Sequence, residues 1–168
     1  MDEGGCVIDA YGSHLPVLIR LVAMTRGAVL EIGTGHYSTP MLHALCCPGR
    51  ELVSVETDFS WVSEFRDFHR DGHRFEFCDA SDLLAHLDRL SRRAWSVVFV
   101  DHSPWEERGL SAALFAHSAE YVIAHDFSLP HIGQLFESVS GEFRNVQVYE
   151  RYSPSTLVLS QKEIPELG

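Results

Sequence analysis

The segment VLEIGTGHYSTPMLHAL, residues 29–45, decides the architecture of this chain. A short apolar run carrying one acid, Glu31, meets the turn Gly33-Thr34-Gly35, and a helix-like stretch then opens on Ser38-Thr39-Pro40. Glycine lets a backbone turn sharply at a strand end and lets a ligand lie close to it. Ser38 or Thr39 suits a helix N-cap, and Pro40 suits the first turn, where no amide hydrogen is needed. Gly49, after Pro48, marks the far end of that helix.

The same alternation continues outward. Strand-like runs rich in Val, Ile and Phe occupy 28–32, 52–56, 75–78, 96–100 and 121–124. They are apolar on both faces, as buried parallel strands are. Amphipathic segments separate them. Trp61, Val62, Phe65 and Phe68 share one helical face, and Leu83, Leu84, Leu87 and Leu90 share another, with Ser81-Asp82 as its cap. A further helix from about 130 to 140 aligns Ile132, Leu135, Phe136 and Val139. Alternating β and α elements imply right-handed crossovers and a parallel sheet covered on both faces. The runs 143–149 and 156–160 have only ERYSPS between them, too little for a crossover helix, so they are expected to pair antiparallel. The expected fold is a three-layer α/β/α sandwich: a mostly parallel, seven-stranded sheet ending in an antiparallel hairpin. One domain spans 1–168, with 1–27 as an N-terminal segment whose helical stretch, 14–24, carries Leu15, Leu18, Leu21 and Val22. That segment packs as an ordinary helix, lids a pocket, or pairs with a second copy in a homodimer.

Composition narrows the function. The 168 residues are 45% hydrophobic and 22% charged, a globular balance. No apolar run is long enough to span a bilayer. The start, MDEGGCVIDAYG, lacks the basic-then-apolar order of a signal peptide. Cys6, Cys46, Cys47 and Cys78 show no CxxC spacing and no disulfide framework, which makes a reducing cytoplasm the expected compartment. The formal net charge of −11 repels phosphate backbones. Arg89, Arg92 and Arg93 read as the polar end of a helix, so no nucleic-acid partner and no membrane are expected.

The glycine turn departs from a GxGxxG fingerprint, because Ser38 holds the sixth position. Acids at the other strand ends give the turn its meaning. Glu56 closes LVSVE, from where a carboxylate accepts both hydroxyl hydrogens of a ribose. Asp79 follows FEFC, where a side chain meets an adenine amino group, and Asp101 closes SVVFV. In open α/β sheets ligands bind beyond the carboxyl ends of the strands, where strand order reverses.

With these residues assembled, the chain resembles the class I S-adenosylmethionine-dependent methyltransferases from Val29 to about Ser160. VLEIGTG is similar to that family's glycine motif, Glu56 to its ribose-binding acid, Cys78-Asp79-Ala80 to its adenine-contact turn and VVFVD to its fourth strand. The terminal hairpin resembles its reversed last strand. The resemblance implies S-adenosyl-L-methionine as cofactor, with Glu31 near the methionine amino group and Gly33 and Gly35 beneath the ligand. The cofactor set it implies also includes Thr34, Ser38, Thr57, Ala80 and Asp101.

Methyl transfer needs position and a deprotonated nucleophile. The base is expected after the fourth and fifth strands, where VDHSPWEERG (100–109) and YVIAHDF (121–127) gather Asp101, His102, His125 and Asp126. His102, His125 and Asp126 are the catalytic candidates. Magnesium-dependent members of the catechol type are similar at Asp101 and Asp126, but Phe127 stands where their Asn would be, which counts against magnesium. DHSPW is one residue longer than the [DN]PP[YFW] string of amino-methyltransferases. Trp105 and the segment 103–110 are expected as a loop over the site. The histidines 14, 36, 43, 69, 73, 86, 117 and 131 lack ligand spacing and are read as solvated, His36 in the glycine turn excepted. The expectation is a small-molecule methyltransferase acting at oxygen; an NAD-type dinucleotide domain and a catalytically silent scaffold of the same fold are the alternatives.

Overall fold

The computed structural model describes residues 9–167. Cys6 and the acidic start of the chain lie outside the described residues. Seven strands form one sheet in the order β3-β2-β1-β4-β5-β7-β6. In chain order they are β1 Val29–Ile32, β2 Leu52–Glu56, β3 His73–Phe77, β4 Trp95–Val100, β5 Ala119–Ala124, β6 Asn145–Tyr149 and β7 Thr156–Ser160. The first five pair parallel. β7 inserts between β5 and β6 and runs antiparallel to both, the expected sheet and hairpin.

Strand parity divides the core. Leu30, Ile32, Val53, Val55, Val98, Val100, Val122 and Ala124 face helices α4 (Leu83–Leu90), α5 (Arg108–Leu114) and α6 (Pro130–Glu137). Val29, Leu52, Val97, Phe99 and Ile123 face α1 (Leu15–Met24) and α2 (Ser38–Cys46). Burial of these side chains, at roughly 25 cal/mol per Å² of apolar surface, is what holds the sheet between its helical layers. The second face also carries buried polar side chains, among them Glu31 on the same side as Val29 and Ser54 on the same side as Leu52.

Three local readings differ from the sequence expectation and a fourth is refined. The third strand begins at His73 and ends at Phe77 rather than running 75–78. The face from Trp61 to Phe68 is split between α3 (Phe59–Glu64) and a 3-10 turn, Arg66–Phe68. Phe65 leaves helical geometry between them, with φ −99° and ψ 8°. Asp82 holds the N-cap position of α4 without a side-chain cap hydrogen bond, and with Ser81 it lies in a 3-10 turn, Ala80–Asp82, that leads into the helix. The segment 103–110 is not an open loop either, since a 3-10 turn at Trp105–Glu107 runs directly into α5. The arginines after α4 are spent in pairs, Arg92 with Asp88 at 2.7 Å and Arg93 with Glu51, so they form no free basic patch among the described residues.

Candidate functional site

Chain order reverses between β1 and β4: from β1 the chain builds outward through β2 and β3, then returns to the other side with β4 and β5. Beyond the carboxyl ends of these two strands lies a cavity of about 420 Å³, within the range of small-molecule sites. Its walls are the glycine turn from Thr34 to Ser38, Trp61 of α3, Asp101 of β4, and Tyr11 and His14 from the N-terminal segment.

The turn is shaped by its neighbours. Gly33 has φ +92°, and a Cβ there would stand 2.4 Å from the Asp101 carbonyl oxygen. The first glycine therefore serves the close approach of β1 to β4. Gly35 differs: it lines the cavity, and a Cβ there would meet only the Ser38 hydroxyl, at 3.3 Å. Neither Ser38 nor Thr39 caps the helix; both lie inside α2, whose N-cap is Tyr37. Thr39 instead accepts the Gly35 N–H at 2.9 Å and donates to Glu31 at 2.9 Å.

Glu31 is fully buried and is not among the residues that line the cavity. Its second oxygen accepts from the Ser54 hydroxyl, which lies 3.0 Å from Nε2 of His73, and the two Nδ1 atoms of His73 and His43 are 3.0 Å apart. Burial pushes the Glu31 carboxyl up to about 7, against the pull of its hydroxyl partners. Glu56 is also enclosed. One of its oxygens accepts from the Thr34 N–H and hydroxyl, both at 2.8 Å, and the other from the N–H groups of Thr57 and Asp58 at 2.7 and 3.0 Å. A carboxylate has about four acceptor positions, so the Glu56 carboxylate is already engaged by the glycine turn and by its own loop.

Polar chemistry gathers at the ends of β4 and β5. The Arg108 guanidinium donates to Asp101 at 2.9 Å, to Asp126 at 3.1 Å and to the His102 carbonyl at 2.8 Å. Asp126 holds a left-handed backbone, φ 62°, which brings it under this clamp. At the two carboxylates where Phe127 counts against magnesium, the guanidinium bridges Asp101 and Asp126, and the Phe127 ring packs towards Phe136. His125 places Nδ1 3.1 Å from Asp101 and Nε2 3.0 Å from the Ser13 hydroxyl, which donates to the Pro154 carbonyl at 2.7 Å. With that hydroxyl hydrogen committed, Nε2 is the donor to Ser13. Burial alone would lower the His125 pKa, but the bond to Asp101 and the charges of Asp101 and Asp126 outweigh it and raise it.

His102 lies apart from the cavity. It is buried beside α5, with Nε2 2.9 Å from Ser111, and burial together with Arg108 lowers its pKa to about 3. It does not line the cavity. His14 and His73, read as solvated, are also buried, at 2% and 1% exposure, and His43 and His86 are half-buried. Burial and the neighbouring His125 lower His14 to about 3, so it is a neutral imidazole. Thr57 donates to the Ser103 carbonyl at 2.8 Å, and Asp79 and Ala80 are exposed beyond β3. Trp105 packs edge-on against His131 at 4.8 Å rather than over the cavity. Arg108 and His14 are the residues that sequence reasoning missed. Arg108 carried no signal beyond one cation among the acids of DHSPWEER; His14 needed the tertiary fold.

No family model and no curated protein matches this sequence. Solved structures do match its fold. An O-methyltransferase from Bacillus cereus in complex with SAH superposes with a TM-score of 0.68 at 16% identity, covering 94% of this chain and 83% of that one. This is the class I methyltransferase fold. Human methyltransferase-like protein 13 in complex with SAH shares the methyltransferase fold with a TM-score of 0.57 at 18% identity, over 91% of this chain and 81% of that one. The METTL16 methyltransferase domain shares it with a TM-score of 0.64 at 15% identity, over 89% and 67%.

Proposed function

We propose that this chain is an S-adenosylmethionine-dependent methyltransferase that acts on a small molecule at oxygen. The observation that carries the reading is the cavity at the β1/β4 reversal, lined jointly by the glycine turn and Asp101, in a fold whose neighbours include proteins solved with SAH. The residues fit such a group. The cavity has the volume for a nucleoside and an amino acid, Gly35 leaves the turn open, and Trp61 offers a flat wall whose Nε1 is already tied to the Thr34 carbonyl at 2.6 Å. When bound, the cofactor supplies an electrophilic sulfonium methyl group. Rotation of the Thr34 hydroxyl away from Glu56 frees one carboxylate lone pair for a ribose hydroxyl, and exposed Asp79 reaches the base beyond β3. Glu31 acts from beneath, holding the first turn of α2 through Thr39.

On the acceptor side, Asp101 is the carboxylate that faces the cavity, and it orients an acceptor hydroxyl. Arg108 and His125 fix its two oxygens, so the position is set before the acceptor arrives. His125 then stands as a positioning residue and proton reserve behind Asp101, and Asp126 completes the charge balance. We read the described part of the N-terminal segment, residues 9–27, as a lid whose helix packs on the sheet while Tyr11 and His14 close the cavity. Among the described residues no helix is long and apolar enough to cross a membrane, and the free thiols of Cys46, Cys47 and Cys78 suit a reducing cytoplasm. The rival reading, a silent scaffold, draws on one observation: Glu56 is saturated by Thr34 of the glycine turn together with Thr57 and Asp58. Calorimetric titration with S-adenosylhomocysteine separates the two. Micromolar binding to the wild type, lost in Gly35→Leu, supports the enzyme; no binding at either protein leaves the scaffold.

A further inference from the structure

We propose that His14, His125 and Asp101 form a binding site for a late first-row divalent cation, with Zn²⁺ as the type ion, at the inner wall of the cavity. The three side chains come from the N-terminal segment, the end of β5 and the end of β4, and each offers one ligand atom within 4.8 Å of the others. Nδ1 of His125 and Oδ2 of Asp101 are 3.1 Å apart. An ion about 2.1 Å from each would see them at an angle of about 95°, which four- to six-coordinate sites accommodate. Two imidazoles and one carboxylate favour zinc and its neighbours over magnesium, which prefers oxygen ligands.

The decisive feature is His14. It is 2% exposed, and neither of its ring nitrogens has a hydrogen-bond partner among the described residues. An unpaired buried polar group costs about 1–3 kcal/mol, so a nitrogen aimed at His125 and Asp101 without a partner is a coordination position in waiting. The ring is held there by Phe99, with centroids 4.7 Å apart, and stands edge-on to His125 at 4.5 Å. The outer partners are also in place. Ser13 accepts from Nε2 of His125 and passes its own hydrogen to the Pro154 carbonyl, which keeps Nε2 protonated, so a metal would bind at Nδ1 by displacing the proton shared there with Asp101. Arg108 occupies Oδ1 of Asp101 and neutralises Asp126, while Oδ2 faces Nδ1 of His125 at 3.1 Å, so an ion replacing the proton between them takes both atoms as ligands. The remaining positions on the ion open to the cavity, where a hydroxyl or phenolate oxygen of the acceptor would bind.

The test is metal binding read without nucleoside, so that its failure leaves the methyltransferase reading untouched. Chelator-stripped protein is titrated with Zn²⁺ by calorimetry and with Co²⁺ by visible absorption, alongside Mg²⁺. The expected result is one equivalent of Zn²⁺, a Co²⁺ spectrum of low coordination number and no measurable Mg²⁺ binding. His14→Gln, which keeps volume, and Asp101→Asn each weaken Zn²⁺ by at least ~10-fold, and Zn²⁺ raises the Tm of the wild type but not of His14→Gln. Two variants guard against a folding failure in one. Absence of stoichiometric Zn²⁺ binding, binding undiminished in both variants, or a preference for Mg²⁺ would overturn the site.

Discussion

Glu31 and Asp101 make an instructive pair. Both are acids carried by central strands that lie side by side, β1 and β4, within two residues of register. In sequence they read alike, and both are expected at the ligand. In the fold Glu31 faces the α1/α2 layer, sealed and satisfied by hydroxyls from Thr39 and Ser54. Asp101 lies past the last paired residue of its strand, where it meets a guanidinium, an imidazole and the cavity. The difference shows that position along a strand does not by itself make an acid chemical. The face it takes and whether its partners are neutral donors or charges decide that.

Breaking the Asp101 side should have the largest effect. Arg108→Met leaves Asp101 and Asp126 facing one another without their cation, and loss of one member of a buried pair costs about 3–5 kcal/mol. The half-exposed carboxylates place the expected value at the lower end, read from urea unfolding at pH 7; an unchanged midpoint would remove the clamp from the account.

The Glu31 side should answer to pH instead. Its carboxyl is raised from 4.5 to about 7, so its contribution to stability is complete below about pH 4.5 and is lost as pH rises through 7. Glu31→Gln should therefore gain on the wild type between pH 5 and 8, by up to about 3 kcal/mol. His73, at the other end of the same chain of hydrogen bonds, runs the opposite way: burial lowers it from 6.5 to about 3, and its contribution is lost as pH falls below 6.5. A pH-independent difference between Glu31→Gln and wild type would show that the acid is ionised throughout.

A smaller change links the two regions. Thr39→Val keeps shape but strips the Gly35 N–H and Glu31 of their shared hydroxyl, for an expected loss of about 1–3 kcal/mol and weaker S-adenosylhomocysteine binding through the slackened turn. Denaturation and calorimetry on one sample check both. Smallest in stability is Asp79→Asn, an exposed site expected to stay within about 0.5 kcal/mol while lowering nucleoside affinity several-fold. Unaltered affinity would detach the adenine from β3.

Much of the fold was legible in the sequence, for physical reasons. The parallel strands announce themselves because burial on both faces leaves no polar alternation to hide them, and the short ERYSPS gap permits only a hairpin between β6 and β7. The glycine turn and Asp101, both singled out in the sequence, line the candidate cavity. What stayed hidden depends on contacts distant in sequence. Glu56 is saturated by Thr34 across 22 residues, His14 meets His125 across most of the chain, and Arg108 finds Asp126 only because that residue adopts φ 62°. His102 and His125 look equivalent in sequence, yet one turns into the α5 interface and the other towards Asp101.

The central claim is that a nucleoside occupies the cavity between the glycine turn and Trp61. Trp61 is half-buried at that wall, while Trp95 is sealed in the core and Trp105 faces His131. The direct measurement is intrinsic fluorescence during titration with S-adenosylhomocysteine, on wild type and Trp61→Phe. A saturable change in the wild type that disappears in the variant is the predicted result. A change that persists undiminished in Trp61→Phe, or no saturable change in the wild type, would contradict it.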